Sequence, residues 1–201
     1  MGDALYKQEK YEDALNAYKN ALRLRPELNQ AANNLGMLYY ERGQIDSSIY
    51  YLKEAVKQGP KDAAPYQNLG LLYAELGYVD EALIELQSSM DINPSAVCAY
   101  NLAVLYSNKG KQESLKFAKI AYELESTSIK YSYTYAYYLS EQGKSKKAIT
   151  VLEKIKDPDF NSYYLLSLLY KNSGMIKERQ SLLKKIKRNE HLSEKEKSLL
   201  K

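Results

Sequence analysis

A chain that repeats itself at a fixed period builds its core between copies of one unit, because no single copy can bury its apolar face alone. The stretch "NNLGMLYYERGQIDSSIYYLKEAVKQGP" aligns with "QNLGLLYAELGYVDEALIELQSSMDINP" and again with "YNLAVLYSNKGKQESLKFAKIAYEL". A small residue recurs at Gly36, Gly70, Ala103, Ala136 and Ser167, at intervals of 34, 33, 33 and 31. A turn glycine recurs at Gly43, Gly77, Gly110, Gly143 and Gly174, and Glu9 holds that place in the first copy. Pro26, Pro60 and Pro94 close the first three copies, where a ring that cannot continue a helix ends it. Each copy therefore reads as two amphipathic helices joined by a short turn. The stretch "YSYTYAYYLS", residues 131–140, alternates at first as a strand would. It falls on the first helix of the fifth copy, however, and a strand there would leave the flanking copies unable to stack, so a helical period of about 3.6 is expected.

Composition matters at three points. A hydrophobic content of 45% in 201 residues supplies a sizeable core, and disorder is not expected. The net charge of +4 is uneven: residues 140–201 carry 15 Lys/Arg against 8 Asp/Glu, and residues 1–139 carry 14 against 17. A single cysteine, Cys98, forms no internal disulfide, and no apolar run reaches the length of about 18 residues that a membrane span requires. With no apolar signal core at the N-terminus, the expectation is a soluble chain with cytoplasmic placement favoured and the compartment otherwise open.

The repeat resembles the tetratricopeptide repeat family, whose helix-turn-helix unit has about 34 residues. In the third copy the family's signature positions read Leu69, Gly70, Tyr73, Gly77, Ala82, Leu83 and Pro94. The resemblance implies an all-α fold, a right-handed α-solenoid of stacked repeats. The expected boundaries are 1–28 for a first repeat with a truncated first helix, then 29–62, 63–96, 97–128, a divergent 129–159, a divergent 160–192, and a C-terminal capping helix over 193–201. Ser193 with Glu196 three residues later is a capping-box pattern for that last helix. Because the first repeat opens part-way through its helix at Gly2, a fragment or processed form of a longer protein is also expected.

In this family the fifth and ninth places of the first helix face the concave groove. Here the fifth places read Asn33, Gln67, Tyr100, Tyr133 and Tyr164, and the ninth read Met37, Leu71, Val104, Tyr137 and Leu168. The groove should change from amide-lined to aromatic, and a tyrosine shelf suits binding because the ring is large, stiff and half-polar. The competing use is packing, since tyrosine takes over aromatic duty in a chain with 21 Tyr, 2 Phe and no Trp. For Tyr6, Tyr11, Tyr18, Tyr39, Tyr73 and Tyr106 the core is expected. Asn34, Asn68 and Asn101 precede the small-residue step at spacings of 34 and 33, and look like the asparagine ladder by which some members clamp a peptide main chain. The carboxylate-clamp places hold Gln30, Asn33, Ala64 and Gln67, with no cation, which disfavours a C-terminal carboxylate ligand. Glu41 and Glu75, one residue past the groove's twelfth place, instead favour a basic or neutral peptide.

Catalysis is not expected. His191 lies at the very end of the sixth repeat and Cys98 opens the fourth, too far apart in a solenoid to form a pair. "GKS" at residues 143–145 resembles the end of a phosphate loop but joins two helices and has Tyr138 in place of the first glycine. No cofactor or metal is expected. The cationic Lys184, Lys185, Lys187 and Arg188 alternate with packing residues Leu183 and Ile186, which disfavours nucleic acid or a membrane surface as partner. The chain thus reads as a non-enzymatic scaffold that holds an extended peptide or partner protein in its groove. Two alternatives stand: self-assembly as a homo-oligomer through apolar surface around Leu5 and Tyr11, and service as the interaction domain of a larger enzyme or sensor.

Overall fold

The computed structural model describes residues 1–189 and 191–199. All regular structure among them is helical: α1 (Gly2–Lys7), α2 (Tyr11–Leu24), α3 (Asn29–Glu41), α4 (Ile45–Gln58), α5 (Ala63–Glu75), α6 (Val79–Ile92), α7 (Ala96–Leu105), a 3-10 turn (Tyr106–Asn108), α8 (Lys111–Leu124), α9 (Ile129–Glu141), α10 (Ser145–Glu153), α11 (Phe160–Asn172), α12 (Ile176–Lys187) and α13 (Glu194–Leu199). The chain divides into two compact units, Met1–Leu105 and Tyr106–Lys201. Within each unit the helices contact their neighbours in sequence, α1 to α7 in one and α8 to α12 in the other, an α-solenoid arrangement of helix-turn-helix repeats. The division falls inside the fourth repeat expected from the sequence, with α7 in the first unit and α8 in the second.

One turn chemistry joins most helix pairs. Lys10 N–H donates to Leu5 C=O at 3.0 Å, and the same bond recurs from Gln44 to Tyr39, Tyr78 to Tyr73, Lys144 to Leu139 and Met175 to Tyr170, each at 2.9 Å. Together with the bond from the preceding residue, this is the Schellman closure of a helix, and it needs a left-handed residue just past the helix end. Gly43, Gly77, Gly143 and Gly174 supply it with φ between 69° and 79°, and Glu9 adopts φ 60° in the same place. Gly110 does not belong to this set. Its φ of −164° is extended, because α7 stops at Leu105 and a 3-10 turn replaces the last helical turn.

Within the N-terminal unit, the repeat's small residue lets two helices approach closely. A Cβ on Gly36 would lie 2.8 Å from Leu52 Cγ, and one on Gly70 would lie 2.8 Å from Leu86 Cγ and 3.0 Å from the Leu86 backbone nitrogen. Leu52 and Leu86 are both fully buried, and each such side chain contributes about 1.5–3 kcal/mol. Ala14, Leu15, Tyr18, Leu35, Leu38 and Tyr39 form one cluster, and Leu52, Leu69, Leu72, Tyr73 and Ala82 the next. Tyr39 and Tyr73 are each capped by an ammonium over the ring, from Lys19 at 5.6 Å and Lys53 at 5.9 Å, one repeat apart. Tyr18, Tyr39 and Tyr73 are core as expected, with Tyr6 and Tyr106 half-buried. Tyr11 is not: it opens α2 beside the short α1, stays 44% exposed, and packs edge-on with the Tyr6 ring, centroids 5.5 Å apart.

The C-terminal unit has its own core, in which Ala136, Leu139, Ala148, Ile149 and Leu152 meet Leu165, Leu166, Leu169 and Tyr170. The tyrosine run is the helix α9. Ser128 caps it by accepting from Tyr131 N–H at 3.5 Å, Tyr131 is buried, and Tyr135 stacks on Tyr122 with centroids 5.3 Å apart. At the far end, Leu192 is buried with Tyr163 and Ile186. The capping box forms, with Ser193 N–H donating to Glu196 Oε2 at 2.8 Å and Glu196 N–H to Ser193 Oγ at 3.3 Å. No described residue of α13 is buried, so the apolar contact at this end is made by Leu192, and the final two residues expected in that helix lie outside the described set.

Candidate functional site

In the N-terminal unit, the C-terminal halves of α3, α5 and α7 and part of α4 enclose a cavity of about 500 Å³. Met37, Leu52, Leu71, Leu72, Val104 and Leu105 give it an apolar floor. Tyr40, Ser48, Asn68, Glu75 and Asn101 set polar groups around that floor. Ser48 Oγ is a buried hydroxyl with no partner among the described residues. The arrangement has the form of a small-ligand or side-chain pocket, mostly apolar with a few convergent polar atoms.

The asparagines are not an idle row. Asn34 Nδ2 donates to Asp3 Oδ1 at 2.9 Å, while Asn34 Oδ1 accepts from Asn33 Nδ2 at 3.2 Å. Asn68 Nδ2 reaches Asn33 Oδ1 at 2.9 Å, and Asn101 Nδ2 turns back to Val97 C=O of its own helix at 2.8 Å. Each carboxamide thus has a donor committed within the chain. The oxygens differ: Asn34 Oδ1 is taken, whereas Asn68 Oδ1 and Asn101 Oδ1 have no hydrogen bond within the described residues and belong to side chains lining the cavity. Of the three expected ladder positions, Asn68 and Asn101 share the cavity, and Asn34 sits in a separate polar contact with the first helix.

Gln67 and Cys98 belong to a packing network that sequence reasoning did not anticipate. Gln67 Oε1 accepts from Ser95 Oγ at 3.0 Å and from Cys98 Sγ at 3.2 Å. Ser95 Oγ in turn caps α7 by accepting from Cys98 N–H at 3.1 Å, and Ser89 Oγ donates to Ala63 C=O at 3.0 Å beside the thiol. Cys98 is fully buried. A Ser three residues ahead of a buried position was the available signal for this cap.

Tyrosine hydroxyls and carboxylates form a second periodic contact. Tyr6 donates to Glu41 and, one repeat later, Tyr40 donates to Glu75. The Glu41 carboxylate beside it pushes the Tyr6 phenol up to about 12, through its hydrogen bond first and burial second, and Tyr40 rises for the same reasons with Glu75. Asp3 accepts from Tyr18 hydroxyl at 2.6 Å, which holds its carboxyl below the usual range. Glu41 and Glu75, expected to favour a basic or neutral peptide, are thus each held by a phenol. Tyr40 donates to Glu75 Oε2, and Glu75 Oε1 has no partner among the described residues.

In the C-terminal unit Tyr133, Tyr137 and Tyr164 divide between packing and surface. Tyr133 is half-buried against the core and stacks on Tyr137 at 6.4 Å, while Tyr137 is 40% and Tyr164 48% exposed. Phe160 lies 6.0 Å from Tyr164. Tyr100, in the other unit, is half-buried. The cationic run on α12 is exposed while Ile186 between its lysines is buried, the pattern of an ordinary amphipathic helix. Leu5 is half-buried against the first cluster, which leaves less apolar surface at the N-terminal edge than the sequence suggests. No helix among the described residues is long and apolar enough to cross a membrane.

The comparisons with known proteins agree with this geometry. Tetratricopeptide repeat models match residues 1–63 and 63–95. No curated protein sequence matches the chain. Among solved structures it is similar to YrrB, described as a TPR protein with an unusual peptide-binding site, with a TM-score of 0.74 and 15% identity over 84% of this chain and 90% of that one. It is similar to PilF of Pseudomonas aeruginosa, with a TM-score of 0.73 and 15% identity over 98% and 92% of the two chains. For MamA the TM-score is 0.69 at 23% identity, covering 80% of this chain and 90% of that one. At such identities the likeness is one of fold. With family models matching residues 1–95 and helix pairs continuing beyond them, the N-terminal stretch of the chain belongs to the tetratricopeptide repeat family.

Proposed function

We propose that this protein is a non-catalytic interaction module whose N-terminal unit holds an extended segment of a partner protein. The observation that carries the reading is the cavity over Met37, Leu71 and Val104, with the unpartnered oxygens Asn68 Oδ1 and Asn101 Oδ1 in its lining residues. The floor takes an apolar side chain, and the two oxygens accept main-chain N–H groups whatever the side chains are. Asn33 supports the wall by accepting from Asn68 Nδ2, whereas Asn34 and Gln67 are committed to hydrogen bonds away from the cavity lining and meet a ligand only by exchanging them. Tyr100 adds aromatic surface to the same unit, and Tyr133, Tyr137 and Tyr164 offer a separate one on the C-terminal unit. A structural relative described as having a peptide-binding site is in keeping with this reading.

The test is selection from a displayed random-peptide library with the full chain, beside an Asn68→Ala, Asn101→Ala variant that keeps native helicity. The native chain should enrich a motif containing an aliphatic residue, and the variant should lose it. Failure of the native chain to enrich any motif refutes the reading.

A further inference from the structure

Charge separates along the boundary between the two compact units. Residues 1–105 carry 9 Lys/Arg against 14 Asp/Glu, a net −5, and residues 106–201 carry 20 against 11, a net +9. The cavity lies wholly in the anionic unit. Among the described residues that line it, Glu75 is the only charged one and none is Lys or Arg, and one oxygen of that carboxylate is without a partner there. Glu41 repeats the acid one repeat earlier, in the same pairing with a tyrosine.

We propose that the occupant of this cavity is a cationic peptide segment, in which an aliphatic side chain enters the floor over Met37, Leu71 and Val104 and an adjacent lysine or arginine pairs with Glu75. The inference rests on the peptide reading above and adds the chemical class of the ligand. Three features argue for it. The lone carboxylate at the rim of an apolar pocket penalises an acidic neighbour and rewards a basic one, so the wall selects by repulsion as well as by attraction. The unit that holds the cavity carries net −5, the sign that favours a basic segment close to Glu75. Tyr40, by donating to one oxygen, holds the Glu75 carboxylate at the cavity wall and leaves the other oxygen for a guanidinium or ammonium.

Three forms of the full chain, native, Glu75→Gln and Tyr40→Phe, are taken through the same displayed library at low salt, and the winning peptide is then titrated against each. The native chain should enrich sequences with Lys or Arg next to an aliphatic residue. Glu75→Gln should keep the aliphatic preference, lose the Lys/Arg preference and bind the native winner about tenfold more weakly, as expected for one charge-assisted contact. Tyr40→Phe, which releases the carboxylate from the contact that holds it at the wall, should weaken the Lys/Arg preference without abolishing it; an unchanged preference would overturn the positioning given to Tyr40. An enriched motif with no basic residue overturns the inference while leaving the peptide reading intact. Enrichment of nothing by the native chain overturns both.

Discussion

The turn between α1 and α2 places a glutamate where four other turns place glycine, and this makes backbone strain measurable without touching a side-chain contact. Glu9 adopts φ 60°, and Gly77 adopts φ 79° in the matching turn, with nothing within 4 Å of where a Cβ would stand. A left-handed residue with a Cβ costs about 1–2 kcal/mol. Replacing glycine by a residue with a side chain also restricts the unfolded chain, which returns about 0.4–1 kcal/mol. The difference is a net effect of about 0.5–1 kcal/mol in each direction. Glu9→Gly should stabilise the first helix pair by that amount, and Gly77→Ala should destabilise the third by the same. Urea unfolding followed by helical circular dichroism reads Gly77→Ala, and amide exchange in α1 and α2 reads Glu9→Gly, whose effect is local to the chain end. Because a Cβ at Gly77 meets no neighbour, steric crowding cannot produce a loss there. A Gly77→Ala variant as stable as the native chain would refute the argument that the Schellman closure dictates the residue.

Other outcomes follow from the polar contacts. Gln67→Leu removes the acceptor shared by Ser95 and Cys98 and should cost about 1–2 kcal/mol in urea unfolding, together with faster exchange at the start of α7. Asp3 has its folded-state carboxyl depressed chiefly by the Tyr18 hydroxyl, so its contribution is present above the ordinary value near 4 and is lost as the pH falls through the folded one; acid titration of Tyr18→Phe should show a weaker loss of stability than the native chain. For Tyr6 the sign is opposite. Its folded phenol is raised to about 12, so stability is complete below the ordinary value near 10 and declines as the pH climbs towards 12, and Glu41→Gln should lower the pH at which the late tyrosinate absorbance appears in that range.

The residues that repeat are the ones the sequence speaks for. Spacings of 33 and 34 in Gly36, Gly70 and Ala103, and in Gly43 and Gly77, report backbone requirements, close helix approach and a left-handed turn, that any copy of the unit must meet. Such requirements are local and periodic, so the helix-pair plan and the helical state of the tyrosine run were legible without coordinates. Gly110 keeps its expected place between two helices without the left-handed conformation of the other turn glycines, because α7 ends at Leu105 and a 3-10 turn leads towards α8.

The hydrogen bonds of the groove were beyond that reading. Asn34, Asn68 and Asn101 are equivalent in register, yet one meets Asp3, one meets Asn33 and one folds back on Val97, because a carboxamide takes whichever partner its neighbours present. Gln67 holds the same place as Asn33 and Tyr100, but its extra reach brings it to Ser95 and the buried thiol of Cys98. Which tyrosines pack and which face water was likewise settled by side chains distant in sequence, as Tyr122 is for Tyr135. By itself the sequence determined the repeat, because periodic backbone constraints are written into every copy. Only the tertiary structure decided which polar atoms remain for a partner, because satisfaction of a hydrogen-bonding group depends on neighbours one repeat away.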